Sequence, residues 1–247
     1  MKLLHLCGLL ASLATFALAD AGDVAKGAKA LLESTTKRTL EVISYEKLED
    51  TGLYMLIVRD KVNGYKTLLL SDEKQKNLSV VSGFFSEDKS LGKRVESQLQ
   101  TIRQDNLKVQ NSAKLNALFS SIPKDYAITI TGATPKRLYI VSDPMCSHCQ
   151  EELAHIEDKL KTHTIIMIPV GLLGTESLEK SAEIYDKIRA ATTPKTQIDI
   201  LRSIYSQAHK AGKTSNEAQS LAARVTNMIK MSGLIEGVPF IYEPLGL

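Results

Sequence analysis

The sequence predicts an α/β protein made of a small N-terminal α+β unit, a connecting helix and a larger domain that contains a β-α-β unit. Two observations lead to this prediction. Strand patterns separated by turn residues occupy residues 38–71, and a strand, a helix and a strand follow one another over residues 137–170. A chain of 247 residues is long enough for two domains, each with its own core.

The composition narrows the classes of function. With 43% hydrophobic and 24% charged residues, the chain has the balance of an ordinary globular protein. Its 31 Lys+Arg residues against 28 Asp+Glu residues leave a net charge of only +3, and no dense basic run with interleaved aromatic residues is present. Nucleic-acid binding is therefore not expected.

Residues 1–19 have the pattern of a secretory signal peptide. Lys2 precedes an apolar run from Leu3 to Leu18, and small residues at Ala17 and Ala19 suit a peptidase. A membrane anchor is the alternative, but the run is shorter than the roughly 20 apolar residues that a span needs. We therefore expect an exported protein from which Cys7 is removed.

The N-terminal unit is predicted to span residues 20–90. Its predicted elements are a helix over 23–36 and strands over 38–48, 53–59 and 65–71. Asn63-Gly64 favours a hairpin, because both residues tolerate the positive φ angles of a type I′ turn. A unit this small buries a thin core, so we expect it to be a dimerisation domain.

A polar segment over residues 91–122 is predicted to be a linker helix. Leu91, Val95, Leu99 and Ile102 form a single apolar stripe, and no proline interrupts the segment before Pro123. The stripe is also compatible with a coiled-coil seam. Because the pattern drifts after Ile102, a surface helix is the preferred interpretation.

The third part, residues 123–247, holds the β-α-β unit and a helical insertion over about 172–232. Strands are predicted over 127–131, 137–142, 164–170 and 237–242, and helices over 146–161, 177–190, 194–210 and 216–231. Thr193 before Pro194 predicts one helix start, and Thr214 with Glu217 predicts a capping box for another. Few residues follow the last strand, so we expect no further strand and helix after it.

Cys146 and Cys149 are the candidate reactive groups. The loop between them is too short for a disulfide to remove much entropy from the unfolded chain, which argues against a structural role. Cys146 lies at a predicted helix N-terminus, where unpaired N–H groups and the helix dipole stabilise a thiolate. His148 is expected to add a donor or a cation near that sulfur, and Cys149 is expected to be the resolving thiol.

Two other interpretations of the cysteines are open. A zinc site would need histidines to complete it, because the chain without its signal has no second cysteine pair. The available histidines are His148, His155, His163 and His209. An inert structural disulfide is the second alternative. We expect neither a metal nor a cofactor.

Three stretches of sequence resemble the thioredoxin-fold domain of the periplasmic Dsb thiol:disulfide oxidoreductases. They are Asp143-Pro144-Met145-Cys146-Ser147-His148-Cys149, the preceding strand Leu138–Val141, and Gly237-Val238-Pro239. The order of signal peptide, small α+β unit, linker helix and thioredoxin domain with a helical insertion resembles the homodimeric DsbC/DsbG branch.

The resemblance implies a fold, a location and a set of roles. It implies a thioredoxin fold in the periplasm, with Cys146 as the nucleophile and Cys149 as the resolving thiol. It also implies a cis Pro239 that binds the substrate backbone together with Val238, and a substrate contact at Ser147. The implied partners are unfolded or reduced exported proteins, a second copy of the chain and a membrane redox partner.

Two residues depart from the DsbC/DsbG pattern. That branch has Thr before the cis-proline and Tyr before the second cysteine, whereas Val238 and His148 match the oxidase DsbA. The sequence therefore favours an oxidase that introduces disulfides into exported proteins. The alternatives are a disulfide isomerase or reductase of the DsbC/DsbG type and a chaperone-like binding module.

Overall fold

The computed structural model describes residues 11–49 and 51–244, with side chains from residue 22 onward. The first ten residues of the predicted signal peptide lie outside this range. Among the helices of the described residues, none has the length and apolar character needed to cross a bilayer. The chain divides into two compact units, with the boundary between Gln110 and Asn111.

The first unit is an antiparallel sheet with a helix on each face. Its elements are α1 (Ala11–Thr36), β1 (Leu40–Leu48), β2 (Leu53–Asp60), β3 (Lys66–Asp72), β4 (Leu78–Val80) and α2 (Lys89–Gln110). The strands lie in the order β1-β2-β3-β4. The β2–β3 hairpin forms, but only Gly64 of the predicted Asn63-Gly64 turn has a positive φ angle, so the turn is not type I′.

The side chains of β2 alternate between two cores. Tyr54 and Leu56 pack with Val24 and Ala28 of α1. Met55 and Ile57 face the other way and pack with the apolar stripe of α2. Because both faces of the sheet are covered, the unit buries more than the thin core expected from its first 70 residues.

The predicted linker helix over 91–122 is two helices. α2 belongs to the first unit, and α3 (Ser112–Ser121) belongs to the second. The stripe of α2 is less than a tenth exposed, so the helix is part of a core rather than a surface helix. The sequence pattern identified the four apolar residues of the stripe. It could not show that they pack against the sheet of the first unit, because that contact joins distant parts of the chain.

The second unit is a four-stranded mixed sheet covered by helices. Its remaining elements are β5 (Ile128–Ile130), β6 (Arg137–Ser142), α4 (Ser147–Ala154), α5 (Ile156–Leu160), β7 (Thr164–Pro169), α6 (Thr175–Ile188), α7 (Pro194–Tyr205), α8 (Asn216–Ser232) and β8 (Phe240–Tyr242). The strand order is β5-β7-β6-β8. β6 and β7 are parallel and are joined through α4 and α5, which is the predicted β-α-β unit.

The sheet of the second unit separates two hydrophobic cores. Val141 and Ile168 face the core formed with α3 and α8. Leu138, Ile140 and Met167 face the core formed with α4 and α7. Since Cys149 belongs to the second of these cores, the packing of α4 places one cysteine inside the protein.

The ends of the inserted helices are set by local caps and by tertiary contacts. Thr193 caps α7 as predicted, but α8 is capped by Ser215 rather than Thr214, with the Ser215 hydroxyl accepting from the Ala218 N–H at 3.1 Å. α7 ends at Tyr205 rather than at residue 210. The segment after α7 contacts Glu183 of α6, whose carboxylate lies 2.8 Å from Nε2 of His209.

Candidate active site

Cys146 is the N-cap residue of α4 and is half-buried. Its backbone is extended (φ −82°, ψ 121°), and its N–H donates to the Asp143 carbonyl at 3.1 Å, which closes the tight turn between β6 and the helix. The sulfur accepts no capping hydrogen bond from the helix. It donates instead to the carbonyl oxygen of Val238 at 3.4 Å.

Val238 and Pro239 form the loop that faces Cys146. Their peptide bond is cis, and the loop leads into β8, which pairs with β6. Because β6 ends beside the cysteine turn, this pairing brings together residues that are 92 positions apart in the chain. The Val238 side chain also packs against both cores of the unit.

Cys149 is one turn deeper in α4 and is only 1% exposed. Burial raises the pKa of its thiol to about 12, against the lowering effect of hydrogen bonds from the Asp143 N–H and the Ser142 hydroxyl. The neighbouring Cys146 sulfur adds to the increase. Cys149 is thus a protonated thiol at neutral pH, and the two sulfurs have different chemical environments.

Asp143 is a fully buried carboxylate beneath the cysteine turn, and the sequence analysis assigned it no role. One carboxylate oxygen accepts from the Met145 N–H at 2.9 Å and from the Ser177 hydroxyl at 2.7 Å. The other accepts from the Leu173 N–H at 3.0 Å. Asp143 therefore ties the turn to the start of α6, and its position directly after an apolar strand was the available signal.

His148 and Ser147 lie on the exposed side of α4. The His148 Nδ1 atom lies 3.2 Å from the Glu151 carboxylate, and both side chains are about three-quarters exposed. The polar contact of the ring is thus directed along the helix surface, whereas the sequence analysis expected it at the Cys146 sulfur.

A pair of buried hydroxyl groups lies on the inner side of Cys149. Tyr205, at the end of α7, donates its hydroxyl hydrogen to Ser142 Oγ at 2.9 Å. Both residues are at most 2% exposed. Sequence reasoning missed this pair, because nothing in the pattern of α7 indicates which of its buried residues reaches β6.

Comparison with known proteins decides the family. The family described as "Disulfide isomerase DsbG N-terminal" matches residues 28–115. The solved structure of Helicobacter pylori DsbG is 34% identical, covers 88% of this chain and 99% of its own, and superposes with a TM-score of 0.53. The chain belongs to the DsbG family. It is accordingly a thioredoxin-fold Dsb thiol:disulfide oxidoreductase, as the resemblance implied.

Other similarities are more distant. A linker-deletion mutant of Proteus mirabilis ScsC is 12% identical, covers 66% of this DsbG-family chain and 88% of its own, and has a TM-score of 0.47. The protein α-DsbA2 of Wolbachia pipientis is 14% identical, with coverages of 57% and 86% and a TM-score of 0.42. A search of curated protein sequences found no match.

The different environments of the two sulfurs predict selective alkylation of this DsbG-family protein. Brief treatment of the reduced protein with iodoacetamide at pH 7.5 should modify Cys146, because Cys149 is buried and protonated. Peptide mass spectrometry identifies the modified residue. In 8 M urea both cysteines should react, which serves as the control, and equal labelling of both in the native protein would disprove the assigned asymmetry.

Proposed function

We propose that this protein is a disulfide isomerase or reductase of the DsbG type that acts on exported proteins through Cys146. The observation that carries the proposal is the similarity to DsbG, which extends over both units of the chain rather than over the thioredoxin fold alone. The geometry of the site supports it, because a half-buried sulfur lies beside a cis-proline loop and above a buried partner thiol.

The proposed chemistry begins with attack of the Cys146 thiolate on a substrate disulfide. The substrate S–S bond breaks, one substrate sulfur leaves as a thiolate, and the other becomes joined to Cys146. In isomerisation, a second substrate thiolate attacks the substrate sulfur of this mixed disulfide. A new substrate disulfide forms, and Cys146 returns as a thiolate.

Reduction uses the second cysteine. Cys149 attacks the Cys146 sulfur, the bond to the substrate breaks, and the departing substrate thiolate takes up the proton that Cys149 loses. The protein ends with a Cys146–Cys149 disulfide and needs an external thiol to begin again. A membrane redox partner is proposed for this step.

The contact between Cys146 and Val238 supports a role for the loop in substrate binding. In the free thiol, the Cys146 S–H donates to the Val238 carbonyl. A mixed disulfide has no S–H, so the carbonyl is released and can accept an N–H from the substrate backbone. We propose that Val238 and Pro239 bind the extended substrate segment in this way, with Ser147 on the exposed side of the same site.

An oxidase is the second candidate, and Val238 is the observation that favours it. The residue is apolar and offers no hydroxyl group beside Cys146, and its carbonyl is in direct contact with the reacting sulfur. His148 also matches the oxidase pattern, although its polar contact is with Glu151. An oxidase would require an oxidising membrane partner in place of a reducing one.

A homodimer in the periplasm is part of the proposal. β1 is an edge strand, and its residues Ile43 and Tyr45 are 42% and 41% exposed. An edge strand with exposed apolar side chains favours pairing with a second copy. The predicted export signal over residues 1–19 supports the location.

Ribonuclease refolding distinguishes the two directions of exchange. The proposal predicts that the wild type reactivates scrambled ribonuclease faster than it oxidises the reduced, unfolded enzyme, as measured by ribonuclease activity over time. Cys146→Ser should abolish both activities, because the attacking sulfur is lost. The Val238→Thr variant should shift activity further toward isomerisation.

Val80→Thr is the matched control, since Val80 is 69% exposed and belongs to the first unit. Faster oxidation than reactivation by the wild type would support the oxidase instead. Retention of refolding assistance by Cys146→Ser would support the binding-module alternative.

The dimer is tested by sedimentation equilibrium of the chain without residues 1–19. We expect twice the mass of the single chain at micromolar concentration. Replacing Tyr45 with Lys should weaken association, because a charge would be placed on the exposed edge strand. The matched control is Tyr65→Lys, since Tyr65 is similarly exposed at 37% but lies outside β1. A wild-type monomer under these conditions would contradict the proposal.

A further inference from the structure

Several residues with polar side chains are buried near Cys149. Ser142, Asp143, Cys149 and Tyr205 are each at most 2% exposed. Ser142 ends β6 and Asp143 follows it, whereas Cys149 lies in α4 and Tyr205 ends α7. Placing hydroxyl groups in a core has a cost unless each finds a partner, so their arrangement around one sulfur requires an explanation.

The hydrogen bonds around Ser142 have a defined direction. A serine hydroxyl has one hydrogen and two lone pairs. Tyr205 donates to Ser142 Oγ at 2.9 Å and occupies one lone pair, so the Ser142 hydrogen must be directed to a different acceptor. Ser142 lies two residues after Ile140 on β6, so its side chain faces the same core, which contains Cys149 and Tyr205. The Ser142 hydroxyl lowers the pKa of the Cys149 thiol, as a donor to that sulfur does. Together with the Asp143 N–H at 3.4 Å, the sulfur therefore has two donors aimed at it.

Donors aimed at a sulfur favour its charged form. The resolving step passes through a state in which Cys149 carries negative charge, while the starting thiol is neutral. Hydrogen bonds to the charged form are stronger than those to the neutral form, so the two donors lower the barrier to attack. Tyr205 acts through Ser142, because its own donated hydrogen bond orients and polarises the Ser142 hydroxyl.

We infer that Tyr205 and Ser142 are positioning residues for the resolving step, and that they set how quickly a substrate bound to Cys146 is released through Cys149. The inference rests on the proposed exchange through Cys146 and adds a function for the helical insertion, which supplies Tyr205 at the end of α7. No proton is consumed by the two hydroxyl groups. The proton of Cys149 passes to the departing substrate sulfur, as in the reaction above.

The insertion also holds Tyr205 in place. The buried ammonium group of Lys180, on α6, donates to the Ser206 carbonyl at 3.0 Å. Ser206 is the C-cap of α7 and follows Tyr205 directly, where a cation is favoured by the helix dipole. The position of the Tyr205 hydroxyl is thus determined from both sides, by Ser142 and by the anchored helix end.

The test separates formation of the mixed disulfide from its resolution. Reduced protein is mixed with oxidised glutathione, quenched with acid at intervals and analysed by intact mass, a readout that suits a chain without tryptophan. The variants Ser142→Ala and Tyr205→Phe should form the Cys146–glutathione disulfide at the wild-type rate. Its conversion to the Cys146–Cys149 disulfide should slow about tenfold in Ser142→Ala and about threefold or more in Tyr205→Phe.

The double variant Ser142→Ala/Tyr205→Phe should be no slower than Ser142→Ala alone, because Tyr205 acts through Ser142. Tyr126→Phe is the matched control. Tyr126 is equally buried and donates to the Pro169 carbonyl at 2.8 Å, so its variant loses a buried hydroxyl without affecting the sulfur. This variant should resolve the mixed disulfide at the wild-type rate.

The possible results separate failure of this inference from failure of the proposed function. Normal formation and normal resolution in Tyr205→Phe would overturn this inference and leave the proposed function intact. Equal slowing in Tyr126→Phe would also overturn it, since the effect would then be one of general stability. If the wild type forms no mixed disulfide at all, the proposed exchange through Cys146 fails, and this inference fails with it.

Discussion

The site depends on a helix that begins at the surface and continues into the core. Because Cys146 caps α4 and Cys149 lies one turn inside it, the same helix leaves one sulfur half-exposed and buries the other. The turn that permits this arrangement is held by Asp143, whose buried carboxylate has three donors. Loss of that carboxylate would leave these three donors without their acceptor, which is costly in a protein interior.

The rest of the second unit maintains this arrangement. β8 brings the cis-proline loop to the half-buried sulfur of Cys146. α7 brings the Tyr205 hydroxyl to Ser142, in the core that contains the buried Cys149. The helical insertion therefore contacts the residues around the cysteine turn through Ser177, which donates to Asp143, and Tyr205, which donates to Ser142. In the first unit, helices cover both faces of the sheet, and each face has its own hydrophobic core.

The sequence alone predicted those features that local patterns encode. The strand over 53–59, the stripe Leu91–Ile102 and the position of Cys146 at a helix start follow from composition, periodicity and spacing, and the structure contains all three. Features that arise from contacts between distant residues were not predicted. Tertiary packing determines the division of the 91–122 segment, the early end of α7 and the Ser142–Tyr205 pair. The His148 contact with Glu151 depends on the choice of side-chain conformation.

Cys146 is proposed to attack substrates, and Cys149 is proposed to resolve the mixed disulfide. Trapping tests this proposal most directly: Cys149→Ser and Cys146→Ser variants are each mixed with scrambled ribonuclease, blocked with N-ethylmaleimide and separated on non-reducing gels. Cys149→Ser should accumulate a thiol-sensitive complex with ribonuclease, because the resolving sulfur is absent, and Cys146→Ser should form none. A complex that accumulates with Cys146→Ser and not with Cys149→Ser would contradict the assignment of the two cysteines.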